Sequence, residues 1–121
     1  MMTGREGSAL PDAGDLVWVD FRPTLGREQN GVRPALILTN RGYHARNATA
    51  IVCAVTRNVD PWPTKVILPE GLAISGAILT DQIRNVDWAS RGFRPIGRVP
   101  SITLDLVREK LANLLGLAAF Q

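Results

Sequence analysis

The chain is nearly devoid of cysteine, histidine and lysine. Among its 121 residues Cys53 and His44 each stand alone, and of the 14 basic residues only Lys65 and Lys110 are lysines. A single cysteine excludes an intramolecular disulfide, and Cys53, inside the apolar run 50–55, reads as a small buried hydrophobe in a strand. One histidine, one cysteine and no clustered carboxylates leave too few ligands for a catalytic zinc, so no metal and no cofactor are expected. There is no glycine-rich phosphate loop ending in lysine, no Gly-x-Ser-x-Gly elbow and no second histidine to share acid and base work. A hydrolase built on this chain must work with Arg, Glu, Asp, Thr or the lone histidine. Long apolar runs are missing too: none reaches the ~18 residues of a membrane helix. The first residues carry no apolar signal region. The expectation is a cytoplasmic protein without membrane association, with residues 1–12 as a flexible N-terminal tail.

What is present points to one compact unit. A hydrophobic content of 45% with 21% charged residues suits a single globular domain, here expected over 13–121. The net charge of +3 is small, but its basic part is almost wholly arginine. Guanidinium stays charged, pairs bidentately with phosphate and stacks on flat rings, a combination suited to a nucleic-acid partner. Short runs rich in β-formers and bounded by Gly or Pro predict strands at 16–21, 35–39, 49–56, 64–68 and 77–80, the last continued by 83–88 past a bend at Asp81 and Gln82, with a further short one near 95–99. The polar segment 40–48 reads as a loop, with Tyr43 and His44 at an exposed turn and His44 solvated. After Pro100, the spacing of Ile102, Leu104, Leu106, Val107, Leu111, Leu114 and Leu115 fits an amphipathic helix over about 101–115, with Ser101 as its cap and Gly116 beyond its end. Many short strands and one C-terminal helix predict a mainly β protein, a small barrel or a strongly curved sheet.

The polar insert 22–33 separates the first two strand-like runs and crowds Glu28, Gln29, Arg22, Arg27 and Arg33 into one loop. A solvated connection needs only small turn-formers. Several guanidinium groups around one carboxylate, with Pro34 holding Arg33 extended, suggest a loop that holds an anion.

Four blocks in order, Gly14 to Phe21, Glu28-Gln29-x-Gly31-x-Arg33-Pro34, Val55-Thr56 and Asp81-Gln82-x-Arg84, resemble the MazF/PemK toxin family over about residues 14–115. The resemblance implies an SH3-like small β-barrel (CcdB/PemK-like) with a C-terminal helix, a homodimer, and a cognate MazE-like antitoxin. It implies a sequence-selective, metal-independent endoribonuclease acting on single-stranded RNA, the 2′-hydroxyl attacking the adjacent phosphate to leave 2′,3′-cyclic phosphate and 5′-hydroxyl ends. Arg33 and Thr56 match the family's catalytic pair, and Glu28 the loop carboxylate implicated in some members. An internal nucleophile needs deprotonation, stabilisation of a dianionic phosphorane and a proton for the leaving oxygen. Arg33 would supply charge and two donors, Thr56 a neutral hydrogen bond, and Glu28 either the base or the orientation of Arg33.

The substrate-binding candidates are Gln82, Asp81, Arg84, Arg27, Arg57 and Trp62. Four of them have a plain rival role: backbone hydrogen bonding at a turn for Asp81 and Gln82, structural or dimer support for Arg84, a lid over the barrel for Trp62. Trp62, between two prolines, is also placed to stack an unpaired base. Trp18 is expected in or near the core or a dimer surface. Arg27 and Arg57 depart from the family pattern, which has small residues there, and add positive charge beside the expected phosphate site. Two other classes remain open on sequence: a non-catalytic CcdB-like toxin that binds DNA gyrase, and a basic RNA-binding module that leaves RNA intact.

Overall fold

The computed structural model describes residues 10–22 and 31–117. Six strands, β1 (Asp15–Asp20), β2 (Val32–Ile37), β3 (Thr49–Thr56), β4 (Lys65–Ile67), β5 (Ala77–Asp87) and β6 (Arg94–Arg98), form one sheet in the order β4-β5-β3-β2-β1-β6. Every pairing is antiparallel. Two single helical turns, α1 (Arg41–His44) and α2 (Trp88–Arg91), sit in connections, and α3 (Ser101–Leu114) is the C-terminal helix.

The sheet curls because two of its pairings break register. Between β1 and β6 the register shifts at Leu16 and Val17. Between β3 and β5 it jumps, Cys53 facing Ile83 and Val55 facing Ile78. The extra β5 residues at this jump bend the strand and sharpen its twist, as bulges do. The bend falls on Asp81 and Gln82, and 83–87 continues the strand begun at 77–80 past it, as expected.

Alternation along the strands fills both faces. On one face Leu16, Leu36, Cys53, Val55 and Ile78 meet Leu104 and Val107 of α3. On the other, Val17, Val19, Ala35, Ile37, Ala50, Val52 and Val86 pack with Phe21, Trp88 and Phe93. Burial of each large aliphatic contributes about 1.5–3 kcal/mol, and α3 docks through only a few of them. The helix begins after Pro100, which occupies the cap position with no side-chain cap bond, so Ser101 is its first helical residue and not its cap. Gly116, at φ 78°, closes it as a left-handed residue.

The segment 40–48 departs from the expected solvated loop. His44 is 2% exposed. Its Nδ1–H donates to the Pro11 carbonyl at 2.6 Å, and Nε2 lies 2.7 Å from Thr39 Oγ1, which itself accepts from the Ile51 N–H. Asp12 Oδ1 accepts from the Arg41 N–H at 2.9 Å. Pro11 and Asp12, expected within the flexible tail, are therefore tied to α1. Among the described residues no helix is long and apolar enough to cross a membrane.

Candidate functional site

Arg33 and Thr56 come from neighbouring parts of the curled sheet and share one open cleft. Arg33 lies near the start of β2, opposite Val19, and Thr56 ends β3 opposite Ala77. With Trp18, Pro34, Val55, Arg57 and the connection carrying Ala73, Ile74 and Ser75, they line a cleft of about 570 Å³. Two guanidinium groups reach this cleft, and no carboxylate lines it among the described residues. Arg33 and Arg57 have no ion-pair partner among the described residues. A cationic cleft of this kind is complementary to a phosphodiester.

Local structure explains how each group is held. Pro34 keeps Arg33 extended and pairs across β1 and β2 with half-buried Trp18, which also lines the cleft. Thr56 Oγ1 accepts from the Asn58 N–H at 3.2 Å, a short turn that ends β3. Opposite, Gly76 adopts φ +141°, and a Cβ there would lie 2.3 Å from the Thr56 carbonyl oxygen. Only glycine permits that approach, which lets the 73–75 segment close one wall of the cleft. Ala73, Ile74, Ser75 and Gly76 were not among the sequence candidates. Gly71 and Gly76, bracketing a short connection before an apolar strand, are the sequence signal that could have marked it.

The entrance to the segment 23–30 is built from ionic contacts. Asp20 takes hydrogen bonds from the Arg22 guanidinium and from the Arg22 N–H. These bonds hold its carboxyl down at about 2, from the ordinary 3.8. Arg91 donates to the carbonyls of Asp20 and Arg22, linking α2 to the same point. Gly31 is needed on the return: a Cβ there would meet the Arg22 stem at 2.0 Å. Glu28 and Arg27 themselves lie outside the described residues.

The remaining candidates do not line the cleft. Asp81, Gln82 and Arg84 are exposed on the bent half of β5. Arg84 places its guanidinium 5.1 Å from the Phe21 ring centroid, a cation–π contact that braces the end of β1. Trp62 is 65% exposed on the connection between β3 and β4. Its neighbours on that connection are fixed by the chain's two lysines: Lys65 bonds the carbonyls of Asn58 and Asp60, and Lys110 the carbonyl of Pro63. Trp18, expected in the core or at a dimer surface, is half-buried and forms part of the cleft wall. Cys53 is fully buried, and burial, assisted by the negative charge of Asp81, pushes its thiol up to about 12. It is inert as a nucleophile at neutral pH. No group of three or more His, Cys, Asp or Glu side chains suited to a metal occurs among the described residues.

The sequence model of the PemK-like, MazF-like toxins of type II toxin–antitoxin systems matches residues 12–115. The chain belongs to that family. It is 36% identical over 107 residues to the endoribonuclease toxin MazF of Escherichia coli K12, covering 88% of this chain and 96% of that protein. It is 34% identical over 112 residues to the endoribonuclease EndoA of Bacillus subtilis, covering 88% and 96%. Among solved structures, MazE–MazF (Form-II) from Deinococcus radiodurans superposes with a TM-score of 0.82 at 42% identity, covering 89% of this chain and 97% of that one. The six-stranded curled sheet with its C-terminal helix is thus the PemK/MazF-type fold, as the four sequence blocks implied. In this member the described residues Trp18, Arg33, Pro34, Val55 and Thr56 of the first three blocks meet at the cleft, while the fourth block lies at the β5 bend.

Proposed function

We propose that this toxin is a sequence-selective, metal-independent endoribonuclease that cuts single-stranded RNA in the Arg33–Thr56 cleft. The observation that carries this reading is the meeting of Arg33 and Thr56, from separate strands, in a cationic cleft with no carboxylate among its described lining residues. The 2′-hydroxyl attacks the adjacent phosphorus, the P–O5′ bond breaks, and the products are a 2′,3′-cyclic phosphate and a 5′-hydroxyl. Arg33 stabilises the phosphorane charge with two donors, and Thr56 donates its hydroxyl to a phosphate oxygen. Glu28 serves as the base or orients Arg33. Arg57 and Arg27 hold the backbone on either side of the cut, and Trp62 stacks an unpaired base. Asp81 and Gln82 contact RNA from the β5 bend, whereas Arg84, engaged with Phe21, acts through that contact.

The relatives' names carry the rest of the reading. They are endoribonucleases, and the structural neighbour is a toxin bound to MazE. This chain acts in the cytoplasm as a single domain over 13–121, as a homodimer, and is neutralised by a cognate MazE-like antitoxin whose acidic segment covers the cleft. Exposed Ile102 and Leu106 on α3, with Ile51 and Ile83 on the sheet, supply apolar surface for the second copy.

The test is incubation of wild type and Arg33→Ala with a mixed-sequence single-stranded RNA in excess chelator, followed by mapping of fragment ends. Cyclic phosphate ends from wild type, lost in Arg33→Ala, are expected. Intact RNA in the presence of folded wild type overturns the proposal and favours a binding toxin.

A further inference from the structure

The turn that follows Thr56 is held by a lysine whose ammonium has no donor to spare. Lys65, the first residue of β4, donates to the Asn58 carbonyl at 2.9 Å, to Asn58 Oδ1 at 3.3 Å and to the Asp60 carbonyl at 2.9 Å. Asn58 Oδ1 also accepts from the Asp60 N–H at 2.9 Å. The turn is therefore closed twice, once by its own asparagine and once by the lysine. Its remaining polar link runs to the cleft, through the Asn58 N–H and Thr56 Oγ1 at 3.2 Å.

That link decides what the threonine hydroxyl can do. A hydroxyl has one proton to give and two lone pairs. With the Asn58 N–H engaged on one lone pair, the proton and the second lone pair remain for the cleft, which Thr56 lines. Three acceptors in one turn suit a compact ammonium on a flexible stem, whose three donors rotate to meet them. A planar guanidinium spreads its donors outward and cannot converge on them in the same way. This accounts for a lysine here in a chain whose cations are otherwise arginines with one further exception, Lys110. Lys110 anchors the far end of the same connection, through the Pro63 carbonyl at 2.8 Å.

We propose that Lys65 is a positioning residue for RNA cleavage: by clamping the 58–60 turn it fixes the Asn58 N–H against Thr56 Oγ1 and so aims the threonine hydroxyl at the scissile phosphate. The inference rests on the cleft reading above. Lys65 touches no substrate in this account, and its charge is spent on backbone and amide oxygens. Its loss displaces a transition-state donor, which lowers kcat and leaves ground-state RNA binding nearly intact.

The experiment compares wild type, Lys65→Met, Lys65→Arg, Thr56→Val, the Thr56→Val/Lys65→Met pair and Arg33→Ala. The substrate is a short single-stranded RNA containing a cut site mapped from a mixed-sequence transcript, and each variant is also melted thermally. Lys65→Met is expected to lower kcat about 10-fold with KM changed less than about 2-fold. Lys65→Arg, which keeps the charge and not the geometry, falls between. Beside Thr56→Val, Lys65→Met costs less than about 2-fold, because no hydroxyl remains to be aimed. A raised KM with kcat unchanged makes Lys65 an RNA-binding charge and overturns the proposal. So does a loss undiminished in the Thr56→Val background. If Lys65→Met does not fold, Asn58→Ala replaces it: a smaller kcat loss in the same direction supports the clamp, and an unchanged kcat overturns it. Arg33→Ala separates the two levels. Full cleavage by Arg33→Ala removes the cleft reading itself, whereas cleavage lost there and unaffected in Lys65→Met removes the clamp alone.

Discussion

At the scale of residues, several arginines near the sheet are engaged, while two others face the cleft. Arg22 is bound to Asp20, Arg98 to Asp15, and Arg84 lies over Phe21, whereas Arg33 and Arg57 meet no carboxylate among the described residues. The Asp20 pair gives stability a defined pH dependence. Its carboxyl is held at about 2 when folded against an ordinary 3.8, so folding favours the deprotonated form. The contribution is complete above about pH 4 and is lost as pH falls through 3.8 toward 2. Urea midpoints of wild type and Asp20→Asn are expected to differ most above pH 4 and to converge near pH 2; a gap independent of pH contradicts the assignment. His44 makes a second residue-scale prediction. His44→Leu leaves the buried Pro11 carbonyl and Thr39 hydroxyl without their ring partner and should destabilise by about 2–3 kcal/mol. RNA cleavage per folded molecule, measured below the shifted melting point, stays at the wild-type level, because His44 is not among the cleft's lining residues. A selective loss of cleavage without destabilisation would make His44 functional instead of structural.

At the scale of elements, the cleft depends on where strands end and bend more than on strand identity. β3 stops at Thr56 because the Asn58 N–H turns back to its hydroxyl, and β5 starts at Ala77 because Gly76 passes against the Thr56 carbonyl. Gly76→Ala introduces a Cβ into backbone in a left-handed region where glycine is favoured. It should cost more than about 1 kcal/mol and lower cleavage beyond its effect on folding, since the displaced atom belongs to Thr56. Melting together with activity per folded molecule checks both; wild-type activity at reduced stability would mean that the 73–76 wall does not position Thr56. The segment 40–48 shows why this level is hard to read in advance. Its Asn, Gly and Arg content is that of a solvated loop, yet α1 forms and buries His44 because Pro11 and Asp12 return to meet it. That partner lies about thirty positions away in sequence, and local composition carries no trace of it.

At the scale of the whole molecule, the cationic cleft predicts salt-dependent RNA binding. Binding of a non-cleavable single strand should weaken as salt rises, and Arg57→Ala should reduce the slope of log affinity against log salt by about 0.7 for one lost phosphate contact. The loss should be similar across sequences, as for a backbone contact. An unchanged slope would place Arg57 outside the RNA path and leave it to the antitoxin.

The sequence by itself determined the mainly β architecture with its C-terminal helix, because short runs of β-formers bounded by Gly or Pro and the 3.6 spacing after Pro100 are local signals. Its four ordered blocks also determined the family. Tertiary structure alone decided that Arg33, Thr56 and Arg57 share a cleft with Trp18 and the 73–75 segment, that Arg84 is engaged with Phe21, and that His44 is buried. It also decided that both lysines hold a connection in place. Each of these joins residues of different elements, and the cleft among them depends on how β1, β2 and β3 pair. Register is a property of two strands together, so neither strand's own sequence contains it.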